Sequence, residues 1–181
     1  MATDRTTYAL RQALGEAGWR VHGWGYGWNL GVREDTLDRL EACLDRMGAN
    51  EPVLVVGWSL GGLYGREIAR LHPDRVRAVV TLGSPFSGDL HQNNVWRLYE
   101  LVAGHKVEDT PIPRVTEKPP VPTLAIWSRE DGIVAPRAAR GFEGERDEAV
   151  ELDCSHMAFG VSKNAAQNVV REIGKFLKRH S

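Results

Sequence analysis

The chain has 181 residues, 42% of them hydrophobic, which is enough for one domain with a substantial core and makes a second domain unlikely to fit. Its 23 basic and 24 acidic residues are interspersed and leave a net charge of −1, which argues against nucleic acid or an anionic membrane as a partner. The expected partner is therefore a small uncharged molecule.

The start of the chain, MATDRTTYALRQAL, lacks the apolar stretch of a signal peptide, and no apolar run is long enough to span a bilayer. We therefore expect a soluble, cytoplasmic protein with no stable membrane insertion. The two cysteines, Cys43 and Cys154, do not have the spacing of a metal site. Reduced, buried thiols are the expectation, and a disulfide between them stays open.

In the first third of the chain, helices and strands alternate. A first helix ends at Gly18, and residues 19–23 are predicted to form a strand. After a glycine-rich loop, a helix with one apolar face begins near Asp35 and leads into a strand at 53–56. A further helical pattern starts at Leu60.

The alternation continues to the end of the chain. Strands are predicted at 75–85, 121–128 and 147–153, and a last helix has an apolar side between residues 165 and 177. Strands that alternate with helices indicate an α/β fold with a mostly parallel sheet covered on both faces. We expect a single domain over residues 1–181.

Residues 87–120 interrupt this pattern between two core strands. They contain a helix-like NNVWRLYELV and a proline-rich TPIPRVTEKPPVP, and together they have the character of a cap. Two interpretations of the apolar residues here stay open. Trp96 and Tyr99 line an apolar pocket over a site, or they belong to a satellite cluster that packs on the body of the domain.

The stretch VLVVGWSLGGLYG at 53–65 places Ser59 between a strand and a helix. Gly57 and Gly61 flank the serine in the pattern G-x-S-x-G, in which the absent side chains allow a strained turn to expose the hydroxyl. The pattern predicts a nucleophile at Ser59. The alternative is a glycine-rich turn in which the serine only caps the helix.

A serine nucleophile needs a base, and the base needs an acid that orients it. In open α/β sheets the reacting groups collect where strands end, and of the six histidines only His22 and His156 follow predicted strands. His156 lies in ELDCSHMAFG, just before the last helix. Asp131 follows the strand TLAIW, and Glu130 and Asp153 remain as substitutes for it.

The order Ser59, Asp131, His156 is that of the α/β-hydrolases. The chain resembles lipase- and esterase-type members of this superfamily in the motifs HGWGYGWNLG, GWSLGG, VVTLGSPF, WSREDGIV and the SH of CSHMAFG. The resemblance covers nearly the whole chain and implies the α/β-hydrolase fold. It implies that Ser59 is the nucleophile, His156 the base and Asp131 the orienting acid, with an acyl-serine intermediate that water hydrolyses and with no cofactor.

Acyl transfer also requires hydrogen-bond donors for the oxyanion, and the backbone N–H of Leu60 is expected to supply one. The HGxG-like stretch at 22–25 lies one strand later than the usual second donor. In the resembling family, a strand that ends in a glycine turn stands before the stretch that here begins MATDRTT. The second donor position would therefore fall at Met1 or Ala2.

That earlier strand lies, in the family, between the strands that correspond to the stretches around Val21 and Val55. Two expectations follow. Either Met1 is an internal methionine of a longer protein, or the strand at 19–23 shifts to pair directly beside the strand that precedes Ser59. The fold is thus expected to be an α/β-hydrolase that lacks its amino-terminal strands.

The predicted function is a serine hydrolase that cleaves carboxylic esters. An apolar acyl group is suggested by aromatic residues near the site, and core packing is the other explanation for them. The expected pocket residues are Trp24, Trp58, Trp96 and Tyr99. Two alternatives stay open: a catalytically silent protein with an incomplete oxyanion hole, and an acyltransferase that uses the same triad.

Overall fold

The structure is a computed structural model that describes residues 3–27, 35–47, 51–88 and 115–180. Within these ranges the chain forms six helices and four strands. Their order is α1 (Tyr8–Glu16), α2 (Thr36–Met47), β1 (Val53–Trp58), α3 (Leu60–Leu71), β2 (Val76–Leu82), β3 (Thr123–Trp127), α4 (Pro136–Arg140), β4 (Glu148–Glu151), α5 (Ala158–Val161) and α6 (Lys163–Arg179).

The four strands make one parallel sheet in the order β1-β2-β3-β4, so the order in the sequence is also the order in space. Near the carboxyl ends, Trp58 pairs with Leu82, Leu82 with Ile126, and Trp127 with Glu151. The residues that follow these strands therefore emerge at one edge of the sheet. The predicted α/β architecture with a parallel sheet is confirmed.

Helices cover both faces of the sheet because alternate strand residues point to opposite sides. On one face, α1 and α6 pack against the strands to form the main core. Its buried members are Leu10, Ala13, Leu14, Ala78, Val80, Leu82, Leu124, Ile126, Phe159, Ala166, Val169, Ile173, Phe176 and Leu177. On the other face, Val76, Val79 and Val121 pack with Ala69 of α3.

The strand predicted at 19–23 is wrong, and so is the expectation that it pairs beside β1. These residues are described and form no strand. The Trp19 N–H donates to the Leu14 carbonyl at 3.1 Å, and the N–H groups of Trp24 and Gly25 donate to the Asp4 carboxylate at 2.8 and 3.0 Å. The apolar pattern that resembled a strand comes from side chains in this segment that pack on the main core.

The predicted cap at 87–120 lies largely outside the described residues. Its described end is held against the helix that follows Ser59. Nη2 of Arg66 donates to the carbonyls of Thr116 and Glu117 at 2.7 and 2.8 Å, and Nη2 of Arg70 donates to the Val115 carbonyl at 3.0 Å. No helix in the described ranges is long and apolar enough to cross a membrane.

Candidate active site

Ser59 occupies the tight turn between β1 and α3. Its backbone has φ 54° and ψ −124°. Among the non-glycine residues of the described ranges, Ser59 alone has a positive φ. Such strain persists only where the surrounding structure enforces it. Here the Ser59 N–H donates to the Leu82 carbonyl at 2.9 Å. A Cβ on Gly57 would lie 2.2 Å from the Gly61 carbonyl oxygen, so the turn requires glycine at 57.

Asp131 and His156 form a buried pair at the same edge of the sheet. Asp131 follows β3 and His156 follows β4, and their side chains meet with 2.8 Å between Oδ2 and Nδ1. The two residues are 3% and 4% exposed, so solvent hardly screens the contact. Because Nδ1 faces the carboxylate, Nε2 is the ring nitrogen left to accept a proton from another group.

The turn after β3 fixes the orientation of the Asp131 carboxylate. Its Oδ1 accepts hydrogen bonds from the backbone N–H groups of Ile133 and Val134 at 3.0 and 2.6 Å. The N–H of His156 donates to the Asp131 carbonyl at 2.9 Å, which joins the two turns through their backbones as well. Glu130 and Asp153, the substitutes considered for this carboxylate, are both exposed.

Gly83 lies between the serine turn and the buried pair. It follows β2 directly, has φ 53°, and donates its N–H to the Ile126 carbonyl at 2.9 Å. A Cβ at this position would lie 2.7 Å from Asp131 Oδ2 and 3.1 Å from His156 Nδ1. Trp58 pairs with Leu82, so Ser59 and Gly83 are neighbours on adjacent strand ends, where strands lie about 4.8 Å apart.

The register thus brings the three predicted residues to one small region of the sheet edge. Leu60, the expected oxyanion donor, is the first residue of α3. Amide groups in the first turn of a helix have no intrahelical acceptor and favour negative charge nearby. The second donor position predicted at Met1 or Ala2 lies outside the described residues. The other candidate histidine, His22, is exposed.

The predicted pocket aromatics divide into two groups. Trp96 and Tyr99 lie outside the described residues. Trp24 is half-buried and stacks on Tyr64 of α3 with 6.2 Å between ring centroids. Trp58 is also half-buried, and its indole N–H donates to the His156 carbonyl at 3.1 Å. Contact between the substrate and these rings stays a prediction.

Both cysteines are free thiols. Cys43 is buried, as expected, whereas Cys154 is only half-buried. Cys154 lies two residues before His156, and its N–H donates to the Ser128 hydroxyl at 3.4 Å. Burial raises the pKa of the Cys154 thiol to about 11, and the nearby Asp131 carboxylate adds to the shift. The thiol is therefore protonated at neutral pH. No group of three or more potential metal ligands occurs in the described parts of the chain.

Gly83 and the contact from Trp58 to His156 were not predicted from the sequence. Gly83 does have a signal, because it is a glycine directly after a mostly apolar strand, in TLGSP, at the edge where the predicted site residues collect. The contact from Trp58 to His156 has no signal in the sequence, since it joins residues 98 positions apart in the chain.

Comparison with known proteins identifies the fold. A family model described as the alpha/beta hydrolase fold matches residues 31–110. A structure of polyneuridine aldehyde esterase has a TM-score of 0.69 at 14% identity, over 95% of this chain and 94% of that one. A methylesterase from Arabidopsis has a TM-score of 0.65 at 15% identity, over 96% and 94%. The chain has the α/β-hydrolase fold.

Among curated proteins, pimeloyl-[acyl-carrier protein] methyl ester esterase of Salmonella heidelberg is 40% identical over 60 residues. That stretch is 33% of this chain and 23% of the relative, so the match spans under a quarter of the relative's length. A structure of a monoacylglycerol lipase from Paleococcus ferrophilus has a TM-score of 0.60 at 15% identity, over 98% of this chain and 90% of that one. The similar proteins are thus esterases and lipases.

Proposed function

We propose that this protein is a carboxylic ester hydrolase that uses Ser59 as nucleophile, His156 as general base and Asp131 as the acid that orients the imidazole. The observation that carries the proposal is the buried Asp131–His156 contact of 2.8 Å, packed against Gly83 beside the strained turn at Ser59. A solvent-exposed turn has no need of either the strain or a buried hydrogen bond between a carboxylate and an imidazole.

In the proposed reaction, Ser59 Oγ attacks the ester carbonyl carbon while its proton passes to His156 Nε2. The N–H of Leu60 donates to the oxyanion that forms on the carbonyl oxygen. The imidazolium then gives its proton to the alcohol oxygen, the bond from carbon to that oxygen breaks, and the alcohol leaves. Water repeats the sequence on the acyl-serine and releases the carboxylic acid.

The substrate class we propose is a small, uncharged ester with an apolar acyl group. The names of the similar proteins support ester chemistry: one is a methyl ester esterase, one is polyneuridine aldehyde esterase, and one is a monoacylglycerol lipase. The acyl preference rests on the aromatic residues expected around the site, among them Trp24. Localisation in the cytoplasm stays part of the proposal.

The test uses a fluorophosphonate probe together with a short-chain nitrophenyl ester. We expect wild type to be labelled and to turn the ester over, and Ser59→Ala to lose both. His156→Ala should lose a similar amount of kcat, on the order of 10⁴ to 10⁶, because members of a triad act as a unit. His22→Ala, which removes an exposed histidine, is the matched control and should behave as wild type.

Folded wild type that is neither labelled nor active would reject the proposal in favour of a catalytically silent protein. Equal activity in His156→Ala and wild type would remove His156 from the mechanism. Adding a primary alcohol to the assay separates the two acyl-transfer outcomes: an ester of the added alcohol as the main product would indicate an acyltransferase.

A further inference from the structure

Trp58 makes a direct connection between the strand that carries the serine and the turn that carries the histidine. It is the last residue of β1, immediately before Ser59. Its indole Nε1–H donates to the His156 carbonyl at 3.1 Å. The partners stand 98 residues apart in the sequence, so this bond fixes a long-range distance within the site.

The indole ring also supports the histidine turn by packing. The centroids of the Trp58 and His156 rings are 5.6 Å apart with 40° between their planes. On another part of the ring, a Cβ at Gly160 would lie 2.8 Å from Trp58 Cζ3 and 3.0 Å from Cε3, so α5 is in close contact with the indole at Gly160. The ring therefore lies between β1 and residues 156–160.

Trp58 and Asp131 hold different parts of His156. Asp131 holds the His156 N–H and Nδ1, both of which face the turn after β3. Trp58 holds the carbonyl on the other side of the residue and the ring itself. With the N–H, the carbonyl and the ring of His156 held, the position of Nε2 relative to the serine turn is restricted. A displacement of about 1 Å at such a point can cost 10²-fold in rate.

We propose that Trp58 is a positioning residue that holds the His156 imidazole in register with Ser59, a role that rests on the proposed function of those two residues. This role differs from lining the substrate pocket. A residue that lines the pocket changes KM, whereas a residue that positions the base changes the chemical step and leaves KM nearly unaltered.

The test compares three proteins with wild type. Trp58→Phe removes the indole N–H and part of the ring. Replacement of Trp58 by benzothienylalanine, in which sulfur stands in the place of the N–H, removes the hydrogen bond and keeps the shape. Trp19→Phe is the matched control, since Trp19 is also half-buried and packs on the main core without contact to the buried pair.

For the nitrophenyl ester we expect kcat to fall about 10²-fold in Trp58→Phe, with KM within twofold of wild type. The benzothienylalanine protein should lose about tenfold in kcat, the value of one hydrogen bond. Trp19→Phe should retain wild-type kinetics. A higher KM at unchanged kcat, or unchanged kcat in both Trp58 variants, would overturn the proposal.

A second measurement does not depend on turnover and so separates this proposal from the proposed function. The proton on His156 Nδ1 gives a low-field NMR signal when the imidazole is held against Asp131. We expect this signal in wild type and Trp19→Phe, and loss or broadening of it through faster exchange in both Trp58 variants. A signal that persists unchanged in the Trp58 variants would refute positioning, even if the protein proves to be inactive.

Discussion

Gly83 has no side chain because the buried pair occupies the space that one would need. Substitution Gly83→Ala brings a Cβ to 2.7 Å from Asp131 Oδ2 and also places alanine at φ 53°. We expect at least a 10²-fold loss of the proposed esterase activity, because the carboxylate must move away from His156. Nitrophenyl ester kinetics and urea unfolding measure the two effects.

The matched control for this substitution is Gly144→Ala. Gly144 has φ 85°, but a Cβ there would meet nothing within 4 Å. It should therefore show only the backbone cost of a left-handed alanine, about 1 kcal/mol, with activity unchanged. If Gly83→Ala keeps wild-type activity, the buried pair can shift freely and the packing argument for the site fails.

Cys154 offers a test of the charge distribution around the site. Because burial and the Asp131 carboxylate raise its pKa to about 11, little thiolate is present at pH 8. We expect iodoacetamide to modify Cys154 about 10²-fold more slowly than a free cysteine at pH 8, with a rate that increases towards pH 11. Peptide mass spectrometry reads the modification at this position alone.

The same reaction in urea is the control, since the unfolded chain restores an ordinary thiol. If the folded protein is modified at pH 8 as fast as it is in urea, the Cys154 thiol is not buried next to the Asp131 carboxylate.

At the scale of residues, the sequence was sufficient to predict that Asp131 and His156 lie at the same edge of the sheet. Asp131 follows an apolar run, and His156 follows the weaker strand pattern DEAVELD. Parallel strands bring such positions to one edge whatever the details of packing. The roles of Gly83 and Trp58 depend instead on which side chains meet across the sheet. For Trp58 no local pattern contains that information, whereas for Gly83 the position directly after a strand is the local signal.

Among the elements, α3 is unusual because it contains a buried arginine, Arg66, which is 1% exposed. Its guanidinium lies 4.3 Å above the Phe86 ring and donates to the carbonyls of Glu145, Thr116 and Glu117. Burial lowers the pKa of Arg66 to about 10, which still leaves it charged at neutral pH. One side chain thus joins α3 to the segments that precede β3 and β4.

We expect Arg66→Ala to lower the free energy of unfolding by about 3 kcal/mol or more, because it leaves buried carbonyl groups without donors. Urea unfolding followed by circular dichroism measures the loss. Arg77→Ala, which removes an exposed arginine from β2, should change stability by no more than about 0.5 kcal/mol. Similar losses in the two variants would show that the carbonyls find water instead.

Helices and strands with strong periodicity were predictable, and the segment at 19–23 was not. Its apolar residues satisfy the pattern of a strand, but a strand also requires a neighbour for its backbone groups. Here the Asp4 carboxylate takes two N–H groups at the end of the segment, from Trp24 and Gly25, while Trp19 and Val21 still pack on the core. A sequence pattern indicates which side chains are buried, but it does not indicate the hydrogen-bond partners of the backbone groups.

For the molecule as a whole, β1 is the first strand of the sheet, and no described segment pairs with its side away from β2. The Ser59 N–H points to the Leu82 carbonyl of β2, and N–H groups alternate in direction along a strand. The N–H groups of Leu54 and Val56 therefore point away from β2, whereas that of Val55 points towards it.

We expect the amides of Leu54 and Val56 to exchange with solvent at least tenfold faster than the amide of Val55, as measured by NMR-detected hydrogen exchange. Residues 79–82 of β2, which pair with strands on both sides, are the internal reference and should show slow exchange. Equal protection of all three amides in β1 would mean that this side of the sheet is covered.

The crowding at Gly83 has a practical consequence for directed evolution. A library that randomises this position should return glycine in its most active clones, because a Cβ at residue 83 would lie 2.7 Å from Asp131 Oδ2. Ile133 and Met157 stand within two residues of that pair, yet they are 38% and 47% exposed. Mutagenesis intended to retune selectivity is better spent on these two positions, where new shapes can be accepted without disturbing the chemistry.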